Sequence, residues 1–149
     1  MGRGFEGSAF GFMLGESTHD TRGSQVSHTC KSSVTDLYNA THIANTSAFY
    51  DNHVYNTHMY AAEAKRIILE HGTKSPDNPL FLYMAFQNCH APYQVPDKYQ
   101  DMYPGLPKGK SQRCFNAMVT AMDESVGVIV DALKQGGLYN DTVLIWTAE

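Results

Sequence analysis

Hydrophobic and polar positions divide the chain into a weakly patterned front and a strongly patterned back. Residues 1–57 are rich in Gly, Ser, Thr, Asn and His with little periodicity, so they read as an irregular loop region. From Asn56 a helical spacing sets in. Tyr60, Ala64, Ile67, Ile68 and His71 step by three or four, leaving Lys65, Arg66 and Glu70 for the wet face. Asn56 or Thr57 is placed to cap its start and Gly72 to end it. A polar turn, 73–78, leads into Leu80-Phe81-Leu82-Tyr83-Met84-Ala85-Phe86. This charge-free apolar run predicts a strand buried on both faces, punctuated by Pro79 and Pro92.

A connection over residues 91–111 follows, carrying Pro92, Pro96, Pro104, Pro107, Gly105 and Gly109, and its length predicts a functional loop or lid. The clearest helix comes next: Phe115, Met118, Met122, Val126, Ile129 and Leu133 form a stripe that predicts core packing, with Gly136-Gly137 as its stop. Val143-Leu144-Ile145-Trp146-Thr147 then reads as a second buried strand. Residues 58–149 are thus a helix–strand–helix–strand unit. Its last three elements predict a βαβ crossover with parallel strands and right-handed connection. The carboxyl ends of both strands then share one sheet edge, where open α/β proteins gather reactive groups. His90 and Glu149 fall at that edge. A parallel pair with one strand at the chain's end makes an unfinished sheet, so the expectation is a piece of a larger α/β protein.

Composition narrows the function classes. With 149 residues and 42% hydrophobic positions the chain can build one core. A net charge of −4 with scattered Lys and Arg leaves no nucleic-acid footprint. No apolar stretch approaches the roughly 20 residues of a membrane span, and residues 1–15 are no signal peptide. Asn39-Ala40-Thr41, Asn45-Thr46-Ser47 and Asn140-Asp141-Thr142 are N-glycosylation acceptor patterns, making Asn39, Asn45 and Asn140 candidate sites. Cys30, Cys89 and Cys114 are odd in number and lack C-x-x-C spacing, so they fix neither a pairing nor a redox compartment. Combinations of His19, His28 and Cys30, or of His53 and His58, match no standard zinc-ligand spacing.

Pro79 to Gln87, followed by His90-Ala91-Pro92-Tyr93-Gln94-Val95-Pro96 and Tyr99, resembles the central segment of the sulfatases, most closely the arylsulfatase B-like group. The likeness continues through Ala117-Met118-Val119, Met122 to Gly127, Ala132 to Leu138 and Asn140-Asp141-Thr142. Arg3-Gly4-Phe5 followed by Gly11-Phe12 and Gly15 is similar to the family's R-G-F…G-Y-x-x-G turn, with one extra residue between. The resemblance implies an alkaline-phosphatase-like α/β fold, with a central, largely parallel sheet flanked by helices and present here in part. It implies hydrolysis of sulfate esters, sulfated glycans among them, by a formylglycine nucleophile with a calcium ion, in a lysosomal or secreted enzyme. His90 then corresponds to the family histidine that contacts the sulfate and assists proton transfer, work suited to an imidazole.

The departures are specific. No cysteine here begins the nucleophile motif C-x-P-S-R or C-x-A-x-R, so nucleophile and most calcium ligands are expected outside this chain. Glu149 stands where the family's later metal aspartate belongs, and is either a longer carboxylate ligand or a boundary artefact. Two other readings stay open: a truncated, non-catalytic paralogue or partial gene product, and a phosphodiesterase or phosphatase of the same superfold. Sequence alone leaves the particular ester and the oligomeric state undetermined.

Overall fold

The computed structural model describes residues 10–12, 24–26, 33–35, 37–39, 42–43, 54–91 and 93–147. The front of the chain contains strands where the sequence predicted only loop. β1 (Phe10–Phe12), β4 (Leu37–Asn39) and β5 (His42–Ile43) form an antiparallel sheet in the order β1-β4-β5. β2 (Ser24–Val26) pairs antiparallel with β3 (Ser33–Thr35). Strands of two or three residues are too short to register as a period-2 pattern, which is why the alternation was silent.

Helix α1 spans Asn56–Lys74, two residues beyond the expected stop. Gly72 lies inside its last turn, and the capping residue is Ser75, whose N–H donates to the His71 carbonyl at 2.8 Å. The glycine has another task. A Cβ on Gly72 would stand 2.5 Å from the Gly136 carbonyl oxygen, so the backbones of two helices meet at this point. Neither Asn56 nor Thr57 caps the start; Tyr55 occupies that position, and the two polar side chains turn into the protein. On the wet face Arg66 bonds Glu63 at 2.8 Å and also Glu70, which pairs in turn with Lys74. Exposed pairs at this spacing contribute only a few tenths of a kcal/mol each.

Helix α2 (Asp97–Gln100) interrupts the proline-rich connection. The connection is anchored to the helices by buried side chains. Tyr99 is buried, and the buried guanidinium of Arg113 donates to the carbonyls of Gln100 at 2.7 Å and Leu106 at 2.6 Å. One cation thereby satisfies backbone oxygens of a segment with little secondary structure of its own.

Helix α3 (Ser111–Gln135) ends as expected at the glycine pair. Gly137 adopts φ 72°, and the Leu138 N–H reaches the Leu133 carbonyl at 2.9 Å while the Gly137 N–H reaches Lys134 at 3.2 Å. These two bonds are a Schellman motif, and the left-handed residue between them favours glycine. The buried face is offset from the predicted stripe: Cys114, Ala117, Met118, Ala121, Ser125, Ile129, Ala132 and Leu133 point inward, and Phe115 outward. Small side chains took those positions because α1 packs closely there. Ala64 and Ile68 of α1 join Ile129, Ala132 and Leu133 in one core cluster.

Segment 80–86 keeps the two-residue period of a strand but has only one covered face. Leu80, Leu82, Met84 and Phe86 pack against the α1–α3 cluster, whereas Phe81 and Tyr83 are 74% and 75% exposed. The expected burial on both faces is therefore corrected to burial on one. The last stretch is also outward, with Val143 86% and Ile145 78% exposed. Neither segment belongs to the two described sheets, so the predicted parallel pair is not among the described elements. Only one face of segment 80–86 has helices against it among the described residues. Covering the second face of a parallel sheet takes another layer, which the described residues do not supply. No described helix is long and apolar enough to cross a membrane.

Candidate active site

The end of segment 80–86 meets the first turn of α1, and there the core becomes polar. Asn56, Thr57 and Met118 are fully buried and Tyr55 nearly so. Buried polar groups must find partners, and these find them in the turn at 87–90. The Asn56 carboxamide donates to Gln87 Oε1, and the Thr57 hydroxyl to Asn88 Oδ1. Asn88 Nδ2 donates to the Met118 carbonyl at 2.8 Å and to the Tyr55 hydroxyl at 3.2 Å. The Tyr55 hydroxyl in turn donates to the Gln94 carbonyl at 3.1 Å. Burial pushes the Tyr55 phenol above its ordinary range, which keeps it protonated as a donor.

His90 is carried on this turn, and its N–H donates to the Gln87 carbonyl at 3.0 Å. Its ring is exposed, and Nδ1 lies 2.7 Å from the Ala91 carbonyl. A carbonyl only accepts, so that contact assigns the proton of a neutral ring to Nδ1 and a lone pair to Nε2. Such a ring can take a proton at Nε2 or, once charged, donate from it to an anionic oxygen. Cys89 beside it is half-buried, and burial pushes its thiol up, away from thiolate character.

A second polar chain lies on the flank of the first. Tyr99 donates to Glu124 Oε2 at 2.7 Å, so the Tyr99 oxygen accepts from His58 Nε2 at 2.6 Å. Lys98 stands 4.3 Å from the Tyr99 ring centroid and 3.5 Å from Glu124. Burial, then the Lys98 charge, hold His58 below its ordinary 6.5, against the smaller opposing pull of Glu124. The Tyr99 hydrogen bond lowers Glu124. A depressed histidine favours the folded state while neutral. Its contribution is complete above about pH 6.5, the unfolded value, and declines as pH falls toward the lower folded value. Thermal melts at pH 7.5 and 5.5 should show a larger acid-induced drop in wild type than in His58→Gln. Equal drops would exclude His58 as the source; this range lies above the carboxylate transition of Glu124.

Of the residues singled out from sequence, His90 is at the exposed tip of the braced turn. Asn140 is exposed in the 3₁₀ turn Tyr139–Asp141, and Asn39 lies in β4, opposite Phe10 and His42. Asn45, Glu149, Cys30, His19, His28 and His53 lie outside the described residues. Cys114 is buried near Gln100. Among the described residues no three His, Cys, Asp or Glu side chains converge as a metal would require. Sequence reasoning missed Tyr55, Thr57 and Asn88. A pair of polar residues at the first turn of a helix reads as a cap, and only tertiary contact shows it facing inward.

The family model described as Sulfatase matches residues 8–148, and the chain belongs to the sulfatase family. Arylsulfatase J of Mus musculus is 32% identical over 147 residues, which cover 99% of this chain and 23% of that protein. YdeN of Escherichia coli (strain K12), described as an uncharacterized sulfatase, is 32% identical over 80 residues, or 51% of this chain and 14% of its own length. The chain thus spans less than a quarter of the length of these curated relatives. The solved structure of Ps i-CgsB in complex with k-i-k-neocarrahexaose aligns with a TM-score of 0.71 at 24% identity. That alignment covers 89% of this chain and 29% of the other, and it shows a shared fold.

Proposed function

We propose that this chain supplies part of the catalytic domain of an arylsulfatase-type enzyme hydrolysing sulfuric esters, with His90 in its sulfate site. The observation that carries the reading is His90 itself. It is an exposed imidazole on a turn braced by buried hydrogen bonds, inside a stretch that matches the sulfatase family. Cleaving a sulfate ester needs an oxygen nucleophile, positive groups against the sulfuryl oxygens and a proton for the leaving alcohol. His90 is suited to the last two. In this reading segments 80–86 and 143–147 are parallel strands of the enzyme's central sheet. Formylglycine and calcium belong to residues outside the described ones, with Glu149 a candidate ligand.

Sulfated glycans are the proposed substrate class, supported by the neocarrahexaose bound to Ps i-CgsB. A lysosomal or secreted location goes with the three acceptor patterns, and the exposure of Asn140 suits glycan attachment there. The full-length protein should hydrolyse p-nitrocatechol sulfate and leave an aryl phosphodiester almost untouched. The 149-residue chain alone should do neither. Preference for the phosphodiester, or no sulfatase turnover by the full-length protein, would overturn the reading.

A further inference from the structure

We propose that Tyr55 and Asn88 form a positioning brace that fixes both ends of the loop carrying His90, and that they act on the reaction only through His90. The inference rests on the reading of His90 given above. One oxygen does the bracketing: the Tyr55 hydroxyl accepts from Asn88 Nδ2 at 3.2 Å and donates to the Gln94 carbonyl at 3.1 Å. It therefore ties the chain two residues before His90 to the chain four residues after it. A phenol has one proton and can both donate and accept, which a phenylalanine in the same place cannot.

Asn88 supplies direction. Its second Nδ2 proton goes to the Met118 carbonyl at 2.8 Å, while Oδ1 takes the Thr57 hydroxyl. Turning the carboxamide over would set Oδ1 against the Met118 oxygen, two acceptors face to face, so the group has a single orientation. Its partners belong to buried first-turn positions of α1 and to the middle of α3, two helices locked together at Gly72 and Gly136. The adjacent Gln87 is held by Asn56, and its carbonyl takes the His90 N–H at 3.0 Å. His90 is thus referenced to the rigid helix pair from both sides. Stability alone gives weak reason for this network, since apolar groups of the same shape can replace a buried hydrogen-bonded pair at nearly no cost. What apolar groups cannot supply is a fixed direction for an exposed ring.

The test uses Tyr55→Phe and Asn88→Asp, which keep volume and remove donors. In full-length protein labelled at histidine, the His90 ring in wild type should show one set of signals and a single χ1 rotamer. Each variant should show rotamer averaging at His90, with His71 unmoved as an internal control. On p-nitrocatechol sulfate each variant should lower kcat about tenfold or more with little change in KM, the scale expected when a catalytic group is misplaced. In a His90→Ala background the same substitutions should produce no further loss. Unchanged His90 signals in both variants, or an equal kcat loss with and without His90, would overturn the brace. Wild-type turnover by His90→Ala alone would instead overturn the reading of His90, while the ring signals would still report on the brace.

Discussion

His90→Ala in the full-length enzyme should lower kcat on p-nitrocatechol sulfate by about 10²- to 10⁴-fold, the range for losing a positioned proton-transfer group. The His90 ring is exposed and its Nδ1 bonds the neighbouring Ala91 carbonyl, so its loss removes little buried contact. Exposed positions of this kind change stability by about 0.5 kcal/mol or less, so thermal melts of the variant should overlay wild type. His90→Gln refines the test. Glutamine retains a hydrogen-bonding tip but cannot exchange a proton near neutral pH, so it should restore substrate affinity and leave kcat low. Turnover at the wild-type level in His90→Ala would remove the histidine from the mechanism.

The largest structural effect is expected at Gly72. Gly72→Ala places a methyl 2.5 Å from the Gly136 carbonyl oxygen and 3.3 Å from its carbon and Cα. All three are backbone atoms of the α3 terminus, so no side chain can swing aside. The helices must separate where Ile68, Ala132 and Leu133 pack, and overpacking of this kind costs about 1–3 kcal/mol. For a chain of this size that is a fall in Tm of roughly 3–10 °C. Gly127→Ala is the control. It lies within α3, and a Cβ there meets nothing within 4 Å, so the substitution should raise stability by about 0.5–1 kcal/mol. If both alanines proved equally mild, the close approach would have no energetic meaning.

Two helices and the outline of segment 80–86 were legible because each spans enough residues for its period to repeat. The glycine pair at the end of α3 was also legible, since its role is local and set by backbone conformation. Gly72 misled for the complementary reason. A glycine late in a helix pattern reads as a stop, yet here it is small because another backbone needs the space. The offset stripe of α3 has the same origin: alanines are quiet in a hydrophobicity pattern, and close helix packing selects them. Of the two segments predicted as buried on both faces, 80–86 has one covered face and 143–147 is exposed, because burial depends on layers that a local pattern cannot report. Within the candidate site His90 was visible through its setting after an apolar run and before Ala-Pro. Its supports, Tyr55 and Asn88, were invisible because 33 residues separate them.

Arg113 has a consequence for how the segment between α2 and α3 can vary. Its guanidinium grips the carbonyls of Gln100 and Leu106, atoms every residue possesses. Recognition of that kind is blind to side-chain identity but sensitive to count. Asp101, which pairs with Arg113, and Tyr103, which packs on the Tyr55–Tyr99 cluster and bonds Thr120, are held by their own contacts. The other intervening residues can be rewritten one at a time without moving the two points of attachment, whereas an insertion or deletion between them changes the span the cation must bridge. The connection is therefore specified by its length more than by its composition.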